Sequence, residues 1–187
     1  DGPYVTWAQC EADARARPGE LTMSHSGLWV ALFVPALQIM NNLGLQMRMV
    51  PCRGGGPAKA ALMAGDVHMS MAFPATVAAD VEAGRVRILA TAGPERILEG
   101  VPSFAEIGLP TTTGFMHRVV MAPVGIPEDR LTILRRAFAQ MQQEGAYQQL
   151  MARLGENTEY LDGADYQAIR IQQSDDYREL AESLLVQ

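Results

Sequence analysis

Cysteine is nearly absent from this sequence: Cys10 and Cys52 are the two it has in 187 residues. That is too few for a disulfide scaffold or a metal ribbon. They either pair in an oxidising compartment or stay as two separate buried thiols, and sequence spacing does not choose between these. Aromatic residues are also scarce, five Phe, five Tyr and two Trp, so aliphatic side chains and eleven Met must build the core. No apolar run spans a bilayer. The longest, Gly27 to Met40, is interrupted by Pro35 and falls short of the roughly 20 residues a membrane helix needs. Positive charge is in deficit, 15 Lys+Arg against 21 Asp+Glu, for a net charge of −6. A nucleic-acid binder would present a basic face, and an anionic membrane surface would not attract this chain. No internal repeat or low-complexity tract appears, and Asp1-Gly2-Pro3 reads as a mature or trimmed start, with no signal peptide expected.

What is present is a folding composition, 48% hydrophobic and 19% charged, which excludes a disordered chain. Short apolar runs alternate with amphipathic ones. Thr6 to Arg17 predicts a helix capped by Thr6 and ended by Pro18-Gly19. Leu21 to Met23 predicts a strand, Ser24-His25-Ser26-Gly27 a turn, and Leu28 to Leu43 a buried helix stopped near Gly44. A strand over Met47 to Cys52 precedes Gly54-Gly55-Gly56 and a helix from Pro57 to Ala64. Val67 to Ala72 is a strand, Pro74 to Ala83 a helix opened by proline, and Val86 to Ala92 another strand. The rhythm predicts an α/β layer with a mostly parallel sheet. Ser103 and Glu106 have the spacing of a capping box. After a strand over Val119 to Pro123 the chain turns helical: Pro127 to Glu144, Ala146 to Leu154, and Asp162 or Gly163 to about Leu184. The shift in composition places a boundary near residues 124–127, giving units 1–124 and 125–187.

Three predicted strands end in small or turn-forming residues just before a helix. The loops are Ser24-His25-Ser26-Gly27, then Cys52 into Arg53-Gly54-Gly55-Gly56, then Phe73-Pro74-Ala75-Thr76. In a parallel sheet all three lie at the carboxyl edge, where open α/β folds bind ligands. Each presents a helix N-terminus with unpaired N–H groups and a positive dipole end. Ser24, Ser26 and Thr76 add hydroxyls. The set suits a small carboxylate held by neutral donors.

Catalysis fits poorly. Ser24-His25-Ser26-Gly27 lacks the spacing of a nucleophile elbow. Gly54-Gly55-Gly56 is not followed by the Gly-Lys-Ser/Thr of a phosphate loop, and Lys59 stands where a dinucleotide turn needs its last glycine. His25, His68 and His117 lie on separate elements without the pairing a zinc site requires. His68 reads as a satisfied polar residue in or beside a strand. Asp80 and Glu82, like Asp175 and Asp176, read as solvated faces. Met40, Met47, Met49, Met63, Met69 and Met71 read as core filler. No pair of carboxylates is set for acid–base work, so the expectation is a binding protein, with no catalytic residue, metal or cofactor.

Several segments then follow one another at near-constant spacing: Val50-Pro51-Cys52-Arg53-Gly54-Gly55-Gly56-Pro57-Ala58, Leu62 to Val67, Glu82 to Ala90, Val101 to Pro110, and Met121 to Pro127. Together they resemble the substrate-binding receptors of tripartite tricarboxylate transporters, the periplasmic family also known by the Bordetella uptake gene name. The resemblance implies a type II periplasmic-binding-protein fold, in which two α/β lobes close over a small organic acid and deliver it to a membrane transporter. It implies that residues 1–124 are the second lobe with its return strand, that 125–187 pack on a first lobe with no counterpart here, and that the three loops above grip the ligand. The family's tyrosine falls on Cys52, an acidic strand residue on His68, and an aromatic pair on His117 and Arg118. Apolar positions on Leu131, Leu134, Phe138, Leu150 and Leu154 would lose their cover, so a homodimer through the C-terminal helices or return strand is expected. The alternative is the ligand-sensing effector domain of a transcription regulator with the same fold.

Overall fold

A computed structural model of the chain describes residues 2–28, 31–110, 114, 117–154 and 160–185. It divides into two compact units, 1–116 and 117–187.

The first unit is layered α/β. Helix α1 (Trp7–Ala16) opens with the reciprocal box that its sequence encodes. Thr6 Oγ1 accepts from Gln9 N at 3.3 Å, and Gln9 Oε1 accepts from Thr6 N at 3.2 Å. Its buried residues, Trp7, Cys10 and Ala14, recur at helical spacing and put one face on the sheet. Strand β1 (Thr22–His25) is buried along its whole length. Helix α2 (Phe33–Leu43) is buried from Phe33 to Ile39 without a break, and Gly44 stops it in the left-handed conformation at φ 60°. Strand β2 (Arg48–Pro51), helix α3 (Gly55–Ala64), strand β3 (Met69–Ser70) and helix α4 (Pro74–Glu82) complete the alternation.

The sheet has the order β2-β1-β3 with all pairs parallel; Met23 faces Met49 on one side and Met69 on the other. Parallel pairing forces each crossover through a helix and gathers the strand ends at one edge. The core around β1 takes in Tyr4, Trp7, Cys10, Leu21, Met23, Ile39, Leu45, Met47, Met69 and Phe104. Met40, Met49 and Met71 pack against it, whereas Met63 is exposed and is not core filler.

Two expected strands do not form. Residues 86–90 carry no ladder; the segment makes one isolated parallel bridge, Thr91 to Ser103. Strand β3 is two residues long, too short to template a neighbour along that stretch, and Arg87 instead donates to the Tyr4 carbonyl at 2.9 Å. The Ser103 box does form: Glu106 N donates to Ser103 Oγ at 3.2 Å and Ser103 N to the Glu106 carboxylate at 2.8 Å, closing a turn. Val119 to Pro123 also carries no ladder and lies exposed, Met121 at 85%. β-branched composition alone does not make a strand without a partner edge.

The second unit holds helices α5 (Glu128–Gln143), α6 (Gly145–Leu154) and α7 (Gly163–Leu185). Helix α5 buries no residue, and Ile133, Leu134 and Leu150 are exposed. An open groove of about 570 Å³ is lined by Ile126, Pro127, Arg130, Ile133 and Leu134. No described helix is long and apolar enough to cross a membrane.

Candidate functional site

The three loops lie at the carboxyl edge of the sheet, and backbone hydrogen bonds join the first two. Cys52 N donates to the His25 carbonyl at 2.9 Å and Gly54 N to the Ser26 carbonyl at 3.1 Å, joining the first loop to the second. On the other side of β1, Met71 N donates to the Ser24 carbonyl at 3.0 Å.

Ser24 and His25 are not turn residues, as the sequence suggests, but the last two positions of β1. Polar side chains there mimic a loop in a local reading, yet both are 0% exposed. Ser24 Oγ donates to the Ala58 carbonyl at 3.0 Å, so its hydroxyl proton ties β1 to α3. His25 Nδ1 lies 2.8 Å from the Gly27 carbonyl and 3.4 Å from Gly27 N. The opposite ring nitrogen, Nε2, is buried with no hydrogen-bond partner among the described residues. The ring lies 4.8 Å from that of Phe33, centroid to centroid. Ser26 and Gly27 are half-buried, Gly27 at φ 136°.

In the second loop Cys52 is half-buried and Arg53 exposed. Both cysteines are free thiols, Cys10 being buried with its sulfur 3.9 Å from that of Met69. Gly54 caps α3 with φ 113°, a conformation that side chains rarely adopt. Gly55 and Gly56 have no such backbone need, and a Cβ on either meets nothing within 4 Å. They are the first two residues of α3. Neither internal packing nor backbone conformation accounts for these two, and they leave open space before the first turn of α3. In the third loop Phe73 is half-buried, Pro74, Ala75 and Thr76 are exposed, and Thr76 Oγ1 donates to the Phe73 carbonyl at 2.7 Å.

Helices α2, α3 and α4 have no side-chain cap and no acidic residue in the first turn. Helix α1 caps its own amides through Thr6, and α5 supplies Glu128 and Asp129 to its first turn. Uncapped first turns thus lie on α2, α3 and α4, with Pro35, Pro57 and Pro74 each removing one N–H and Thr76 N already donating to the Phe73 carbonyl at 2.9 Å. Dipole ends and free N–H groups of this kind suit an anion.

Two side chains that sequence reasoning assigned elsewhere stand behind this edge. Asp80 is 8% exposed, not solvated, and accepts from Lys59 Nζ at 2.9 Å and Arg85 at 2.6 Å. Lys59 first, then Arg85, hold its carboxyl below the usual range. The same Lys59 Nζ donates to the Thr76 carbonyl at 3.1 Å. The local signal was weak for Lys59, which lies 21 positions from Asp80, whereas Arg85 is 5 positions away. His68 is a satisfied polar residue beside a strand: its Nδ1 accepts from Thr22 N at 3.1 Å. His117 stacks edge-on against Tyr166 at 5.2 Å, and Arg118 is exposed. No group of three or more His, Cys, Asp or Glu that would hold a metal occurs among the described residues.

Comparison with known proteins decides the family. The model of the tripartite tricarboxylate transporter family receptor, TctC, matches residues 1–184. The chain belongs to this receptor family. BugT of Bordetella pertussis is 27% identical over 146 residues, 77% of this chain and 45% of BugT. A UPF0065 protein of Cupriavidus necator is 28% identical over 168 residues, 89% of this chain and 51% of that protein. The receptor chain thus spans about half the length of these relatives. Among solved structures, a TctC solute-binding protein from Polaromonas without ligand superposes with TM-score 0.82 at 22% identity, covering 98% of this chain and 63% of that one. An R. palustris protein solved with adipate gives TM-score 0.78 at 24% identity, 96% of this chain and 61% of that one. MatC from Rhodopseudomonas palustris, solved with malate, gives 0.62 at 22% identity, 82% of this chain and 53% of that one. These likenesses establish the α/β fold of the TctC and Bug periplasmic binding proteins.

Proposed function

We propose that this receptor chain captures a small carboxylate-bearing organic acid at the carboxyl edge of its sheet, outside the cytoplasmic membrane, and presents it to a tripartite tricarboxylate-type membrane transporter. The observation that carries the reading is the set of uncapped first turns on α2, α3 and α4 with open space in front of Gly55 and Gly56. Such ends attract an anion and leave room for it. Relatives of the same fold solved with adipate and malate support a dicarboxylate-sized ligand. Function here is capture without bond chemistry, so the loop residues bind and orient. Ser26, Gly27, Arg53, Gly54, Gly55, Phe73, Pro74, Ala75 and Thr76 frame the ligand, while Ser24, His25 and Cys52 shape the floor. Residues 1–124 act as the receptor's second lobe and 125–187 as helices that pack on another lobe.

Calorimetry with malate and adipate tests the site. Gly56→Val fills the space before α3, and at least a tenfold loss of affinity is expected, about 1.4 kcal/mol. Unchanged affinity in a folded Gly56→Val protein contradicts the assignment. A homodimer of the isolated chain is part of the same proposal. Exposed Val119, Val120, Met121, Val124, Ile133 and Leu134 form apolar surface of the kind that association covers.

A further inference from the structure

We infer that Lys59 is a positioning residue that makes the second and third loops a single anion grip, an inference that rests on the binding reading above. Each loop has a different anchor. The α3 end is tied to the first loop through Gly54 N and the Ser26 carbonyl. The α4 end has less: its lead-in strand β3 is two residues long, and its N-cap, Phe73, makes no side-chain cap. Lys59 supplies the lateral tie. From α3 it reaches the Thr76 carbonyl in the first turn of α4 at 3.1 Å, and Asp80 one turn further on at 2.9 Å.

The arrangement is more than a surface ion pair. The Asp80 side chain is 11% exposed, so its carboxylate needs partners on both oxygens. Lys59 takes Oδ2, and Arg85, beyond the C-terminal end of α4, takes Oδ1. The two cations share one carboxylate, but Lys59 alone of this pair also holds the backbone beside the third loop. Removing either cation costs Asp80 a partner; removing Lys59 also frees the α4 end to shift against α3. An acid that must touch both loops then meets a site that is no longer preorganised.

The paired cations give the test its control. In the 187-residue chain, affinity for malate and adipate is measured for Lys59→Met, Arg85→Met and Lys59→Arg, with melting temperature beside it. Both methionine variants are expected to melt earlier. Lys59→Met is expected to weaken binding by about tenfold, Arg85→Met by less than about twofold, and Lys59→Arg to recover most of the loss. Equal weakening by the two methionine variants, or none by Lys59→Met, overturns the inference while leaving the site intact. If the unmodified chain binds neither acid, the binding reading itself fails. A second measurement needs no variant. On titrating malate, the amides of Gly55, Gly56, Ala75 and Thr76 are expected to gain exchange protection at one common midpoint; separate midpoints for the two loops overturn the inference.

Discussion

At the residue scale, burial and charge divide side chains that look alike in the sequence. Burial, then the nearby charges of Asp13 and Glu11, push the Cys10 thiol up to about 11, so almost no thiolate is present near neutral pH. Cys52 is half-buried. An alkylating reagent at about pH 8 is therefore expected to label Cys52 once and spare Cys10 until the chain unfolds, read by peptide mass. Early label on Cys10 contradicts the packing against Met69. Asp13 behaves in the opposite sense. Arg17, then the Tyr4 hydroxyl at 2.5 Å, hold its carboxyl at about 2. A carboxyl with a folded pKa below its unfolded value of about 3.9 stabilises the fold fully above that value. The contribution fades as pH falls through about 2. Asp80 and Glu106 are lowered too and act in the same direction. Asp13→Asn is expected to flatten the acid limb of the stability curve between about pH 4 and pH 2. A parallel limb in that variant contradicts the Asp13 pairing.

At the element scale, what was legible in the sequence was what is decided locally. The Thr6 cap, the Ser103 and Glu106 box, the stop at Gly44 and the proline start of α4 each need residues within one turn of each other. Thr6→Ala is expected to cost about 1 kcal/mol of stability, measured by urea unfolding; a change near zero contradicts the box as a stabilising feature. What was not legible depends on distant partners. Ser24 and His25 read as a turn because they are polar, and only the Ala58 and Gly27 carbonyls explain them inside a buried strand. Val86 to Ala92 and Val119 to Pro123 have strand-like composition, but a strand also needs an edge, and neither meets one along its length among the described residues. Asp80 looked solvated because Lys59 sits on another helix. The three loops reach one edge because a parallel alternation brings its strand ends there, a topological consequence that needs no side-chain detail.

At the scale of the whole molecule, a net charge of −6 accompanies the anion site proposed above. Local dipoles, not net charge, must then draw the ligand, and binding should weaken only mildly with added salt. The apolar surface of α5 and residues 119–124 gives a separate expectation. Sedimentation at tens of micromolar should show a dimer, and replacing Ile133 and Leu134 with Gln should shift it to monomer; a monomeric parent chain contradicts the proposed pairing. Capture of a carboxylate at the sheet edge is tested most directly by a ¹⁵N titration of the chain with malate and with its uncharged diamide. Malate is expected to move the amides of Gly54 to Gly56 and of Ala75 and Thr76, with the diamide leaving them in place. Equal shifts with both compounds, or malate shifts confined to other residues, would contradict an anion site at these helix ends.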